Sequence, residues 1–156
     1  MLMPLTGSRL LRAATLAAAA AVLAACSSTA SMQSAMARNK TNVSASLTSA
    51  AEVPTNSSTA TGSLDGTYDK VTRELRWKLN YSGLTGPATA AHIHGPAMPG
   101  QNAGVVIPFP TPATGAEGSA TLTEPQAADL LDGKWYVNVH TAANPGGEIR
   151  GQLMIR

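Results

Sequence analysis

Two histidines stand one residue apart in the stretch A-A-H-I-H-G-P-A-M-P-G, at positions 92 and 94, and the third histidine of the chain, His140, ends the run W-Y-V-N-V-H. In a β-strand, residues i and i+2 project from the same face. A strand through this stretch therefore turns His92 and His94 one way and Ile93 the other. Their Cβ atoms then lie about 6–7 Å apart, close enough to chelate one ion between them. Imidazole suits copper, zinc, iron and nickel. Two donors alone make a poor site, and His140 changes the count. By the same alternation it lies on the face opposite Trp135, Val137 and Val139. If the two strands are neighbours, three imidazoles converge and leave an open fourth position, an arrangement that suits one copper or zinc ion. Met98, in the loop just after the pair, is a candidate soft fourth ligand for Cu(I). The competing reading is structural: neutral histidines at strand ends hydrogen-bond loop carbonyls or a carboxylate, with Glu148 as the candidate carboxylate.

Other chemistry is sparse. Glu148 and Arg150 are i, i+2 neighbours of opposite charge and read as a surface ion pair worth about 0–1 kcal/mol. With Gly146 and Gly147 of the turn N-P-G-G they are assigned structural roles. There is no nucleophile motif, no glycine loop shaped to cradle phosphate, and no second carboxylate close to Glu148 for acid–base work. The expectation is a protein that is not an enzyme.

The elements that must position these side chains read as strands. Val43, Ala45 and Leu47 alternate with polar residues, as do Ala60, Gly62 and Leu64. The cleanest strand is T-R-E-L-R-W-K-L-N-Y, with Leu75, Trp77, Leu79 and Tyr81 on one face and Glu74, Arg76, Lys78 and Asn80 on the other. Period two of this kind is half-buried antiparallel sheet. A-G-V-V-I-P-F and G-S-A-T-L-T follow, then one helix. Thr123 N-caps it with Gln126 three residues on, Pro125 is tolerated in its first turn, Ala127, Leu130 and Leu131 supply an apolar face, and Gly133 ends it. E-I-R-G-Q-L-M-I closes the chain, with Ile149, Leu153 and Ile155 on one side and Glu148, Arg150 and Gln152 on the other. Many short strands spaced by Gly/Pro turns predict an all-β, antiparallel, immunoglobulin-like or Greek-key sandwich or barrel with one short helix.

The N-terminal segment reads as processing signal. Arg9 and Arg12 form a basic n-region, and Ala13 to Ala25 form an apolar stretch too short to span a bilayer but suited to a secretory h-region. Residues 1–25 are expected to be removed. Leu23-Ala24-Ala25-Cys26 matches a bacterial lipobox, which makes Cys26 the lipidated N-terminus of the mature chain. Cys26 is the only cysteine, so no intramolecular disulfide forms. Ser27 and Ser28 follow it without the Asp of an inner-membrane retention signal. The expected location is the outer membrane, facing the periplasm, after export by the general secretory pathway. Residues 26–40 then form the lipidated cysteine and a Ser/Ala-rich flexible tether. Of 11 Lys+Arg, two leave with the signal, so nine basic residues balance nine acidic ones. A formally neutral mature chain, from a sequence with 4% aromatic residues, offers neither the basic face nor the stacking platforms of a nucleic-acid binder.

Longer motifs carry a family resemblance. A-E-V-P near the first strand, A-H-I-H-G-P, N-A-G-V-V and W-Y-V-N-V-H-T-A-A-N-P-G-G-E-I-R-G-Q-L resemble the chordin-type (CHRD) domain over residues 41–156. The resemblance implies an immunoglobulin-like β-fold. It also implies, for bacterial members, a secreted or lipid-anchored single domain; it supplies a fold and a location rather than an activity, and the expected role is a non-catalytic binding or structural module at the envelope with an envelope protein as partner. A looser similarity links the histidines to copper/zinc superoxide dismutase, whose H-x-H strand and later V-H strand supply copper ligands at places corresponding to His92, His94 and His140. This chain has no further histidine. It lacks the bridging and zinc-site histidines of that enzyme, which puts dismutase chemistry in doubt and leaves a mononuclear site.

Overall fold

The computed structural model describes residues 39–156. The signal segment, Cys26 and all but the last two residues of the tether lie outside the described residues.

Among the described residues, alternation of apolar and polar residues produces nine strands. They are β1 (Lys40–Thr48), β2 (Thr61–Asp69), β3 (Glu74–Ser82), β4 (Ala88–His94), β5 (Val105–Pro108), β6 (Glu117–Thr121), β7 (Tyr136–Thr141), β8 (Ile149–Gln152) and β9 (Met154–Ile155). One helix, α1 (Glu124–Leu131), lies between β6 and β7. The strands form one antiparallel sheet in the order β5-β4-β7-β8-β1-β2-β3-β6, with β9 also on β1. The sheet curls almost into a barrel. Near its two edges Phe109, just after β5, stacks on Trp77 of β3 with ring centroids 4.9 Å apart.

The core lies inside the curl. Val43, Leu47, Leu64, Leu75, Leu79, Ile93, Val137, Val139 and Ile149 are at most 1% exposed. Each such aliphatic side chain contributes about 1.5–3 kcal/mol relative to exposure. The β2–β3 hairpin turns where Asp69 Oδ1 accepts from the N–H groups of Val71 and Thr72. Helix α1 begins with the expected capping box: the Gln126 N–H donates to Thr123 Oγ1, and the Thr123 N–H donates to Gln126 Oε1. Its buried face holds Ala127 and Leu130, whereas Leu131, expected beside them, is 42% exposed. The helix makes barely two turns, so only a narrow stripe meets the sheet.

The outer face of β7 differs more from expectation. Alternation predicts a solvated face opposite Val137 and Val139, but all six residues of β7 are buried. Loops fold over this part of the barrel exterior. Asn102 Nδ2 donates to the Val53 carbonyl, tying the β4–β5 loop to the segment after β1. This loop cover turns an ordinary sheet surface into an enclosed polar layer.

Candidate metal centre

The register of β4 on β7 creates the site. Ala90 pairs with His140, His92 with Asn138 and His94 with Tyr136. His92 and His140 are therefore diagonal neighbours on one face, with His94 one step further along β4. Ile93 points into the core and is fully buried, which turns both flanking imidazoles outward, as alternation requires. One ligand nitrogen from each of His92, His94 and His140 lies within 4.8 Å of the others. The tightest pair is His92 Nδ1 and His140 Nε2, 3.1 Å apart.

Loop carbonyls orient two of the rings. His94 Nδ1 lies 3.0 Å from the Ala103 carbonyl, and His140 Nδ1 lies 3.0 Å from the Pro145 carbonyl. A carbonyl oxygen only accepts, so both Nδ1 atoms carry the proton and both Nε2 atoms present lone pairs. His140 Nε2 faces His92. His94 Nε2 is buried with no hydrogen-bond partner. A buried imidazole lone pair with nothing to bind is a costly arrangement in a folded protein. A metal ion between the rings would satisfy it. Backbone carbonyls that hold the remote nitrogen of a ligating histidine are a common feature of metal sites.

All three imidazoles titrate below their ordinary 6.5. For His92, burial is the main cause, followed by repulsion from His140 and His94. For His94, burial outweighs the hydrogen bond to Ala103, which acts the other way. For His140, burial outweighs the hydrogen bond to Pro145. The rings are thus neutral at pH 7, the state in which they bind metal. Bonds of roughly 2.0 Å from each nitrogen to a zinc-like ion place ligand nitrogens roughly 3.3–3.5 Å apart. The His92–His140 pair, at 3.1 Å, lies slightly inside that spacing, and no two of the three ligand nitrogens are more than 4.8 Å apart.

The other residues singled out from the sequence fall in different places. Met98 lies in the β4–β5 loop and is 52% exposed, and its N–H donates to Gln101 Oε1. Glu148 and Arg150 do not form the surface ion pair expected of them. They are 0% and 2% exposed, and Glu148 is not the carboxylate partner of the histidines. Its carboxylate accepts from the hydroxyls of Ser58, Thr85 and Thr141 and from the Thr85 N–H. Burial alone would raise its pKa, but these donors together pull it down to about 2. Arg150 lies flat over Tyr136, with Cζ 3.4 Å from the ring centroid. It donates to Asn102 Oδ1 and the Gln101 carbonyl. Gly147 adopts φ +134°, and a Cβ there would collide with the Glu52 carboxyl and the Asn138 amide. Gly146 has open space where a Cβ would go, so nothing in the packing calls for glycine at that position.

Three residues join the site without having been singled out. Tyr136 stacks parallel on His94 with centroids 4.8 Å apart, and its hydroxyl receives the Ala103 N–H, which steadies the carbonyl that holds His94. Asn138 is 3% exposed and its Oδ1 has no partner. Glu52 is 4% exposed with an unpartnered Oε1. Burial pushes Glu52 up to about 7, against the opposing pull of Arg150 and of hydrogen bonds from Val53 and Asn138. Tyr136 and Asn138 share the alternation of His140 and were legible from it. Glu52 carries no such signal, because its burial depends on a glycine at the other end of the domain.

A family model for the CHRD domain matches residues 43–153. The chain belongs to the CHRD-domain family. The match spans β1 to the end of β8, so the three-histidine layer and its loop cover lie inside this CHRD domain. Comparison with curated proteins and with solved structures returned no match.

Proposed function

We propose that this CHRD domain is an envelope-anchored, non-catalytic binding module that holds one transition-metal ion, copper or zinc, on His92, His94 and His140. The observation that carries the reading is the pair of loop carbonyls on His94 Nδ1 and His140 Nδ1. They aim two buried lone pairs toward the third ring, and one of those lone pairs has no partner in the protein. The three rings suffice for a mononuclear centre, and Met98 is a candidate fourth donor from the neighbouring loop. Anchoring rests on the lipobox at Leu23-Ala24-Ala25-Cys26. The Ser27-Ser28 pair after Cys26, without a retention Asp, supports an outer-membrane anchor facing the periplasm, where the domain would meet metal ions and envelope proteins.

Calorimetric titration of the purified protein with Cu and Zn tests the metal reading. One equivalent should bind with a Kd tighter than ~10 µM, and His140→Ala should abolish that event. Binding weaker than this, or unchanged in the variant, would remove the metal centre from the proposal. The anchor is tested separately: Cys26→Ser should lose lipid labelling, and a variant that still labels refutes the lipobox.

A further inference from the structure

A second site lies on the same outer face, beside the histidines. The 3-10 turn at Ser49–Ala51 and the segment to Thr55 face Pro99 and Gly100 of the β4–β5 loop across a cleft of about 460 Å³. That volume falls within the roughly 300–1,000 Å³ usual for small-molecule sites. Ala50, Ala51, Val53, Pro54 and Pro99 make its walls apolar, and Arg150 lies in its floor.

Arg150 is an unusual floor. It is buried, yet among the described residues no carboxylate stands within 4.0 Å of its guanidinium. Buried arginines are normally paired, because desolvating an uncompensated charge is costly. Both acceptors that hold it, Asn102 Oδ1 and the Gln101 carbonyl, are neutral. Together with the Tyr136 ring beneath it, they fix the plane of the guanidinium and occupy two of its five N–H donors. A fixed guanidinium with spare donors is preorganised for a carboxylate. The one acid lining the same cleft is Glu52. Burial pushes its carboxyl up to about 7, so below that pH it is mainly an O–H donor and leaves the charge of Arg150 uncancelled.

We propose that this cleft binds a small monocarboxylate with an apolar body, the carboxylate received by Arg150 and the body lying against the Ala50–Pro54 wall. The site is distinct from the histidines. Tyr136 on β7 stands between β8, which carries Arg150, and β4, which carries His94.

The test uses metal-free protein, dialysed free of chelator so that no bound ion can attract the probe, and octanoate as that probe. Octanoate should bind with a Kd of about 1 mM or tighter. 1-Octanol should bind at least about tenfold more weakly, the factor expected for losing a charge-assisted hydrogen bond. Arg150→Gln should reduce octanoate binding to the level of the alcohol. Because Arg150 is buried, Ala51→Trp provides an independent check: Ala51 is exposed, and the indole fills the cleft without entering the core. Loss of octanoate binding in Ala51→Trp supports the site. Absence of binding by the unaltered protein, equal affinity for the alcohol, or unchanged binding in Ala51→Trp overturns it. None of these outcomes depends on whether the histidines bind metal.

Discussion

His92 Nδ1 lies 3.1 Å from His140 Nε2 across the β4–β7 pair. The contact joins residues 48 positions apart and exists only because Ala90, not His92, stands directly opposite His140. Since the Pro145 carbonyl claims the proton of His140 on Nδ1, its Nε2 can only accept. In the metal-free protein, His92 supplies the proton between the two rings. Metal binding at this pair must displace that proton, and neutral imidazoles make the exchange easy near pH 7.

The pH dependence of metal binding follows. All three histidines titrate below 6.5, chiefly through burial. A site of solvated histidines would lose its metal as pH falls through about 6.5. This one should keep affinity unchanged to lower pH and release the ion below that point. Titration of Cu or Zn affinity from pH 8 to pH 4 checks this; a midpoint at or above 6.5 contradicts the burial of the rings.

Glu52 makes the domain less stable at alkaline pH. Its folded-state pKa is raised from 4.5 to about 7, so the folded state holds a proton that the unfolded chain has already released. The associated stability is present below pH 4.5 and is lost as pH rises through 7. Glu52→Gln removes the titration. The variant should therefore gain stability relative to the unaltered protein between pH 5 and pH 8, by about 2 kcal/mol, with denaturant midpoints at the two pH values as the readout.

Glu148 behaves with the opposite sign. Its pKa is lowered from 4.5 to about 2, so it stabilises the fold above pH 4.5 and that contribution disappears as pH falls through 2. Glu148→Gln places an amide NH2 against the hydroxyls and the N–H that now donate to the carboxylate. Thermal melts at pH 7 should show a loss of about 2–4 kcal/mol. The loss relative to the unaltered protein should shrink toward pH 2. Because Glu148 holds Thr141, the residue that ends β7 and opens the turn carrying Pro145, the same variant should weaken metal binding.

The two glycines of the N-P-G-G turn should separate cleanly. Gly147→Ala must abandon φ +134° and push aside Glu52 and Asn138. It should lose about 2 kcal/mol or more. Gly146→Ala meets open space and should stay within about 0.5 kcal/mol of the unaltered protein. Equal losses at the two positions would contradict the packing described around Glu52.

Much of this architecture was legible in the chain. Alternation placed Ile93 in the core and turned His92 and His94 away from it, and V-N-V-H did the same for His140. T-x-x-Q marked the start of the helix. Strand pairing was not legible, because the β4–β7 register depends on contacts far apart in sequence. The charge of Glu148 and Arg150 suggested solvent, and their burial comes from loops that alternation does not describe. Leu131 followed the periodicity of a longer helix than the one that forms. Glu52 joined the site through the missing side chain of Gly147, a relationship visible only in three dimensions.

The most direct measurement is the nitrogen chemistry of the three rings, read by long-range proton–nitrogen NMR on uniformly labelled protein before and after one equivalent of Zn. In the metal-free protein His94 and His140 should carry the proton on Nδ1. They should keep it when zinc is added, while their Nε2 resonances and one ring nitrogen of His92 shift together. Protons on Nε2 of His94 and His140, or ring resonances that stay in place through the titration, would contradict the three-histidine centre.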